Sequence, residues 1–149
     1  MAQKNAKKVF ASTAVTALAA TAVIPAATSA QTFTDVPQNH DYAGVISTMA
    51  NEGIIAGYSD GTFRMGESLT RAEASAMVAR ILQYDDDVQL DLNAPAAPFT
   101  DVKQGVWYSD PINALYEAGI IEGTGGNEFD PGETMTRAQI SQLLVEAYD

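Results

Sequence analysis

Two arginines and two aspartates each occupy the same place in a repeated string. Arg71 lies in Leu69-Thr70-Arg71-Ala72-Glu73 and Arg137 in Met135-Thr136-Arg137-Ala138-Gln139. Asp35 lies in Phe33-Thr34-Asp35-Val36 and Asp101 in Phe99-Thr100-Asp101-Val102. The chemistry these groups offer is recognition: a guanidinium presents a planar fork of donors to an anion, and a carboxylate accepts from hydroxyls and amides. Each arginine falls in the first turn of a helix, where a cation opposes the macrodipole, so helix stability does not select it. Two readings follow: the arginine takes an anionic ligand, or it pairs with Asp35 or Asp101, and the two are compatible. The aspartates have a local alternative, accepting backbone amides in an Asx-turn.

Catalytic chemistry finds little material. His40 is the only histidine, there is no cysteine, and no serine sits in a nucleophile-elbow context. A catalytic triad and a histidine-based metal site are thereby excluded, and nothing sets two acids across a cleft as a carboxylate-pair hydrolase needs. Asp85-Asp86-Asp87 with Asp91 lacks the central glycine and closing glutamate of an EF-hand loop, and reads as a solvated acidic linker. No metal and no cofactor are expected.

The elements that must position these residues are duplicated. The Phe-Thr-Asp-Val string recurs at an offset of 66 that holds without a gap to the end of the chain. Tyr42 falls on Tyr108, Gly53-Ile54-Ile55 on Gly119-Ile120-Ile121, and Phe63 on Phe129. Such a match marks a duplicated structural unit. In the first copy Asp41 is placed to cap a helix carrying Tyr42, Val45, Ile46 and Met49 on one face, with Gly53 as its stop. In the second, Asp110 is the expected N-cap, Pro111 the first helical residue and Gly119 the stop. Thr70 with Glu73, and Thr136 with Gln139, form capping boxes for a second helix in each copy. Behind them run the apolar stripes Ala74, Met77, Val78, Ile81, Leu82 and Ile140, Leu143, Leu144, Ala147, Tyr148. One helix pair cannot bury its stripe, so the copies are expected to pack on one another.

Between the helices, Gly57-Tyr58-Ser59-Asp60-Gly61-Thr62-Phe63 is a turn-rich loop, and Ile54-Ile55 with Thr62-Phe63 are placed to form a very short strand pair around it. The expected fold is mainly α: helix-loop-helix units at residues 31–84 and 98–149, joined by an acidic, then Ala/Pro-rich linker at 85–97.

Residues 1–30 stand outside the repeat. Lys4, Lys7 and Lys8 precede an apolar run, then Pro25 and the small residues Ala26-Ala27-Thr28-Ser29-Ala30, which reads as a signal peptide cleaved after Ala30. Its removal leaves Arg64, Arg71, Arg80, Lys103 and Arg137 against 19 acids, a formal charge of 5 − 19 = −14. That surface repels nucleic acid and anionic membranes. An anionic ligand must therefore be captured locally, by a few directed donors. Without cysteine, an exported domain relies on packing, oligomerisation or a ligand.

Phe-x-Asp-Val, a Tyr-bearing helix, Gly-Ile-Ile-x-Gly, the Tyr-Ser-Asp-Gly-Thr-Phe loop and Leu-Thr-Arg-Ala-Glu, in that order, resemble the S-layer homology (SLH) module. The resemblance covers nearly the whole chain after residue 30, as two modules. It implies an exported cell-surface protein of the bacterial wall that binds secondary cell-wall polysaccharide, often pyruvylated, without catalysis. It further implies that Arg71, Arg137, Asp35 and Asp101 line ligand grooves. An arginine fork near a helix N-terminus suits a ketal carboxylate, and Trp107 or Tyr42 can stack on a sugar face. Three departures are visible: Gln139 stands for the motif's glutamate, Thr124-Gly125-Gly126-Asn127 replaces the Tyr-Ser-Asp-Gly pattern, and two modules stand where the family usually carries three. The second groove is accordingly expected to be altered. An alternative partner is a second copy or another SLH protein, completing a three-module array.

Overall fold

The computed structural model describes residues 32–84 and 90–148; the expected signal peptide and Asp85-Asp86-Asp87 lie outside them. Four helices carry the fold: α1 (Ala43–Asn51), α2 (Arg71–Leu82), α3 (Ser109–Glu117) and α4 (Arg137–Tyr148). The fold is mainly helical, as expected. Among the described residues, β-pairing is confined to two isolated bridges, Thr70 with Thr134 and Gly125 with Glu128.

The second helix of each copy starts where its capping box puts it. The Thr70 hydroxyl accepts from Glu73 N–H while the Glu73 carboxylate accepts from Thr70 N–H at 2.8 Å. Thr136 and Gln139 repeat the exchange before α4. The first helices begin differently from expectation. Tyr42 and Tyr108, not Asp41 and Asp110, are the cap residues, and neither side chain makes a capping bond. In α3 the helix enters two residues early, so Pro111 is its third residue. Its missing N–H still falls among the amides that lack an intrahelical partner.

Gly53 and Gly119 end α1 and α3 with φ of +74° and +73°, a conformation that disfavours any side chain. The next amides, of Ile54 and Ile120, then reach back to Met49 O and Leu115 O at 2.9 Å, closing a Schellman turn. The expected strand pair does not form for this reason. Ile54 and Ile55 both direct their N–H groups to Met49 O, and the loop closes instead by Tyr58 N–H to Thr62 O at 2.8 Å.

The copies share a core. α2 packs across the copy boundary on α3, and also on α4. Val78, Ala79 and Leu82 of α2 join Phe99, Ile112, Leu115, Phe129 and Leu143 in the larger cluster. A smaller cluster under α1 contains Phe33, Ile46, Ala50 and Ile55. Ala74, Val78 and Leu82 of the α2 stripe are thus covered in the core shared with the second copy, as the repeat requires, while Met77 packs on the first copy's own cluster.

Candidate functional site

Each inter-helix loop is held by an aspartate from the opening motif. Asp35 accepts from Phe63 N–H and Arg64 N–H, both at 2.7 Å. Asp101 accepts from Phe129 N–H at 2.9 Å and Asp130 N–H at 2.7 Å. Arg64 and Asp130 have φ of 60° and 57°, and the clamped amides hold that strained backbone in place. The hydrogen bonds from Phe63 and Arg64 outweigh desolvation and hold the Asp35 carboxyl below its ordinary pKa. The aspartates thus accept backbone amides, as the Asx-turn alternative anticipated, but from residues nearly thirty positions away.

These loops form two grooves related by the repeat. The first, about 550 Å³, runs between α2 and the second copy's loop, and its lining includes Arg71, Ile121, Glu122, Phe129, Gln139 and Gln142. The second, about 590 Å³, is lined by Tyr58, Phe63, Arg64, Glu73, Arg80 and Trp107 among others. Shifted by 66, Ile55, Ala56, Phe63, Glu73 and Ala76 of the second groove are Ile121, Glu122, Phe129, Gln139 and Gln142 of the first.

Arg71 is the element that the pattern alone does not place. It leaves its own copy and enters the groove of the other. Its Nε donates to Phe129 O at 2.8 Å and one Nη to Glu122 O at 3.1 Å, and its guanidinium lies 4.4 Å above the Phe129 ring. Burial pulls its pKa down, while the carboxylates of Asp130 and Asp101 oppose that shift, and arginine stays charged at neutral pH regardless. Neither Asp35 nor Asp101 forms an ion pair with it; among the described residues the ion pairs are Arg64 with Asp60 and Glu67. The helix N-terminus is also occupied: Arg71 N–H donates to Glu133 O at 2.8 Å and Ala72 N–H to Pro131 O at 3.0 Å. The guanidinium edge not committed to carbonyls, rather than the helix amides, is what the first groove offers an anion.

The second groove carries cations of its own. Arg64 lies 3.9 Å above the Tyr58 ring and pairs with Asp60 at 3.0 Å. Arg80 reaches Ile54 O at 3.5 Å. Tyr58 donates to Glu73 at 2.7 Å, a bond that raises the tyrosine's pKa. The second copy substitutes Thr124, which donates to Asp130 at 2.5 Å, and Gln139. Trp107 lines this groove and is largely exposed, whereas Tyr42, exposed beside His40, lines neither groove. Arg137 is exposed at the start of α4 and likewise lines neither. The intact Tyr-Ser-Asp-Gly loop therefore faces Arg64 and Arg80, and the departing loop faces Arg71. Arg64 and Arg80 have no counterpart signal in the repeat, since their equivalents are Asp130 and Glu146, and motif matching passes over them.

Among the described residues, no group of three or more histidines or acids is placed to hold a metal ion. No described helix is long and apolar enough to cross a membrane.

Residues 32–75 and 98–140 match the S-layer homology domain. The chain is 40% identical over 149 residues to the S-layer protein Sap of Bacillus anthracis, covering 99% of this chain and 17% of that protein. It is 34% identical over 148 residues to the surface-layer 125 kDa protein of Lysinibacillus sphaericus, covering 99% of this chain and 12% of that one. With an amylopullulanase of Thermoanaerobacterium thermosulfurigenes it shares 35% identity over 119 residues, 80% of this chain and 6% of the enzyme. The chain thus spans about a sixth or less of the length of these relatives. Two matched modules and the duplicated scaffold that carries them show that the chain belongs to the S-layer homology family, whose modules anchor surface proteins to the cell envelope.

Proposed function

We propose that the chain is a non-catalytic anchor that holds its protein to the bacterial wall by binding an anionic, pyruvylated secondary cell-wall polysaccharide in the groove between its two modules. The observation that supports this is Arg71: a partly buried cation fixed over Phe129 by two backbone carbonyls, at one wall of a groove whose other polar side chains are two hydroxyls, two neutral amides and two acids. An arginine held this way meets a ketal carboxylate with little rotamer entropy left to lose. The surrounding acids, Glu122 and Glu146, accept from sugar hydroxyls and disfavour polyanions of high charge density. In the second groove, Trp107 and Tyr58 supply faces on which a sugar ring stacks, beside Arg80. Asp35 and Asp101 order the loops.

Cosedimentation with peptidoglycan sacculi, before and after chemical removal of attached polysaccharide, tests the reading. The chain is expected to pellet with intact sacculi and stay in solution with stripped ones. Arg71→Lys keeps a cation but loses the fork, and is expected to bind at least tenfold more weakly while retaining the wild-type circular dichroism spectrum. Equal binding to stripped sacculi would overturn the partner class.

A further inference from the structure

The two grooves share a scaffold but not a charge pattern. One stripe of a second helix lines each: Glu73, Ala76, Met77 and Arg80 of α2 in the second groove, Gln139, Gln142, Leu143 and Glu146 of α4 in the first. These are the i, i+3, i+4, i+7 positions of one helical face, and they correspond one to one at the offset of 66. At the end of the stripe the charge inverts, from Arg80 to Glu146. The loop wall changes in the same direction, from Ala56 to Glu122, while Glu73 gives way to the neutral Gln139. Glu122 and Glu146 are both exposed, and among the described residues neither forms an ion pair. Arg71 is the one cation in the first groove's lining. Its Nε and one Nη are committed to Phe129 O and Glu122 O, and the second bond places Glu122 itself beside the guanidinium. What remains of the fork serves one carboxylate.

We propose that Glu122 and Glu146 determine specificity: they restrict the first groove to a saccharide bearing an isolated carboxylate, and turn away polymers with an anionic group on every unit, such as phosphodiester-linked polyols. A ligand with one carboxylate satisfies Arg71 and presents hydroxyls to the rest of the lining, where Glu122, Glu146, Gln139 and Gln142 supply acceptors. A polymer of evenly spaced charges brings its next anion against Glu122 or Glu146 once the first has reached Arg71. No second cation lines the groove to take it. Arg80 stands at the equivalent place of the other groove, so the scaffold accommodates a cation there and this groove carries an acid instead. The two acids work by repulsion, and their effect falls on the choice between ligands more than on the hold on the right one. Any surface acid adds to the long-range repulsion of the chain. These two differ because they stand where the second anion must go.

This selectivity rests on the capture of a ketal carboxylate proposed above, and the experiment separates the two. Purified pyruvylated wall polysaccharide and poly(glycerol phosphate) are each titrated calorimetrically into the wild type, into the double variant Glu122→Gln, Glu146→Gln, and into both again with Arg71→Lys. Both glutamates are exposed, so the isosteric changes are expected to leave the circular dichroism spectrum unaltered. The wild type is expected to bind the phosphodiester polymer at least tenfold more weakly than the polysaccharide. The double variant is expected to bind that polymer at least tenfold more tightly than the wild type does, with less than a threefold change for the polysaccharide. Arg71→Lys is expected to abolish the gain, which places it in the first groove. The gain is expected to shrink as NaCl rises from about 20 mM to about 500 mM, because screening mutes the acids in the wild type. Glu52→Gln with Glu117→Gln removes the same charge at exposed sites that line neither groove, and is expected to give no gain. No gain, an equal gain for both polymers, or one matched by the remote pair would overturn the proposal. Polysaccharide binding that is absent or indifferent to Arg71→Lys would remove the proposed function and this inference with it. Binding through Arg71 without the gain would remove this inference alone.

Discussion

Asp35 and Asp101 each accept two consecutive amides of a loop far away in the sequence, and that geometry fixes the Arg64 and Asp130 backbones at positive φ. Asp101→Ala leaves Phe129 and Asp130 N–H without their charged acceptor and is expected to cost about 2 kcal/mol in urea unfolding. Within the first loop, Asp60 accepts from the Thr62 hydroxyl and amide and pairs with Arg64, which together hold its pKa at about 2 against an ordinary 3.8. The folded value lies below the unfolded one, so ionised Asp60 contributes stability that is fully present above 3.8 and lost as pH falls through about 2. Asp60→Asn is therefore expected to lower the urea midpoint at neutral pH and to flatten its decline in that acid window. An unchanged acid decline would show that Asp60 carries no linkage. The residue scale was only partly legible. The duplicated Asp and Arg are visible as pattern, but their partners lie 28 to 58 positions away, and contacts at that range depend on packing rather than on spacing.

Among the helices, α2 is the element most constrained by its neighbours. Its Ala79 is fully buried between copies, and Ala79→Val is expected to cost about 1–3 kcal/mol by overpacking. Val145→Ala, the reverse change at the equivalent site of α4, is expected to stay within about 0.5 kcal/mol at dilute concentration. Thr70→Ala removes the capping box and is expected to cost about 1 kcal/mol. Both capping boxes and both glycine stops were readable in the sequence, because each is a local interaction spanning a turn or less. The starts of α1 and α3 were not. There the aspartates next to the expected starts invited a cap, yet Tyr42 and Tyr108 already hold helical backbone angles and take the cap position without a side-chain bond. The short strand pair failed similarly, since the amides of Ile54 and Ile55 are claimed by the end of α1.

At the scale of the whole molecule, the two modules are one structure. The larger core draws on both copies, and Arg71 carries the start of one module's helix into the groove of the other. The repeat made the presence of two grooves legible, but not that Arg71 serves the neighbouring module's loop. Consequently the altered loop, with Thr124 and Gln139, is the one that faces Arg71, and the intact loop faces Arg64, Arg80 and Trp107. The most direct measurement is a calorimetric titration of purified, pyruvylated wall polysaccharide into the chain, against the same polysaccharide with its ketals removed. Saturable binding is expected that weakens at least tenfold either on ketal removal or in Arg71→Lys, with no further loss when both changes are combined. Equal affinity for both polysaccharides, or independent losses that add in full, would contradict capture of the ketal carboxylate by Arg71.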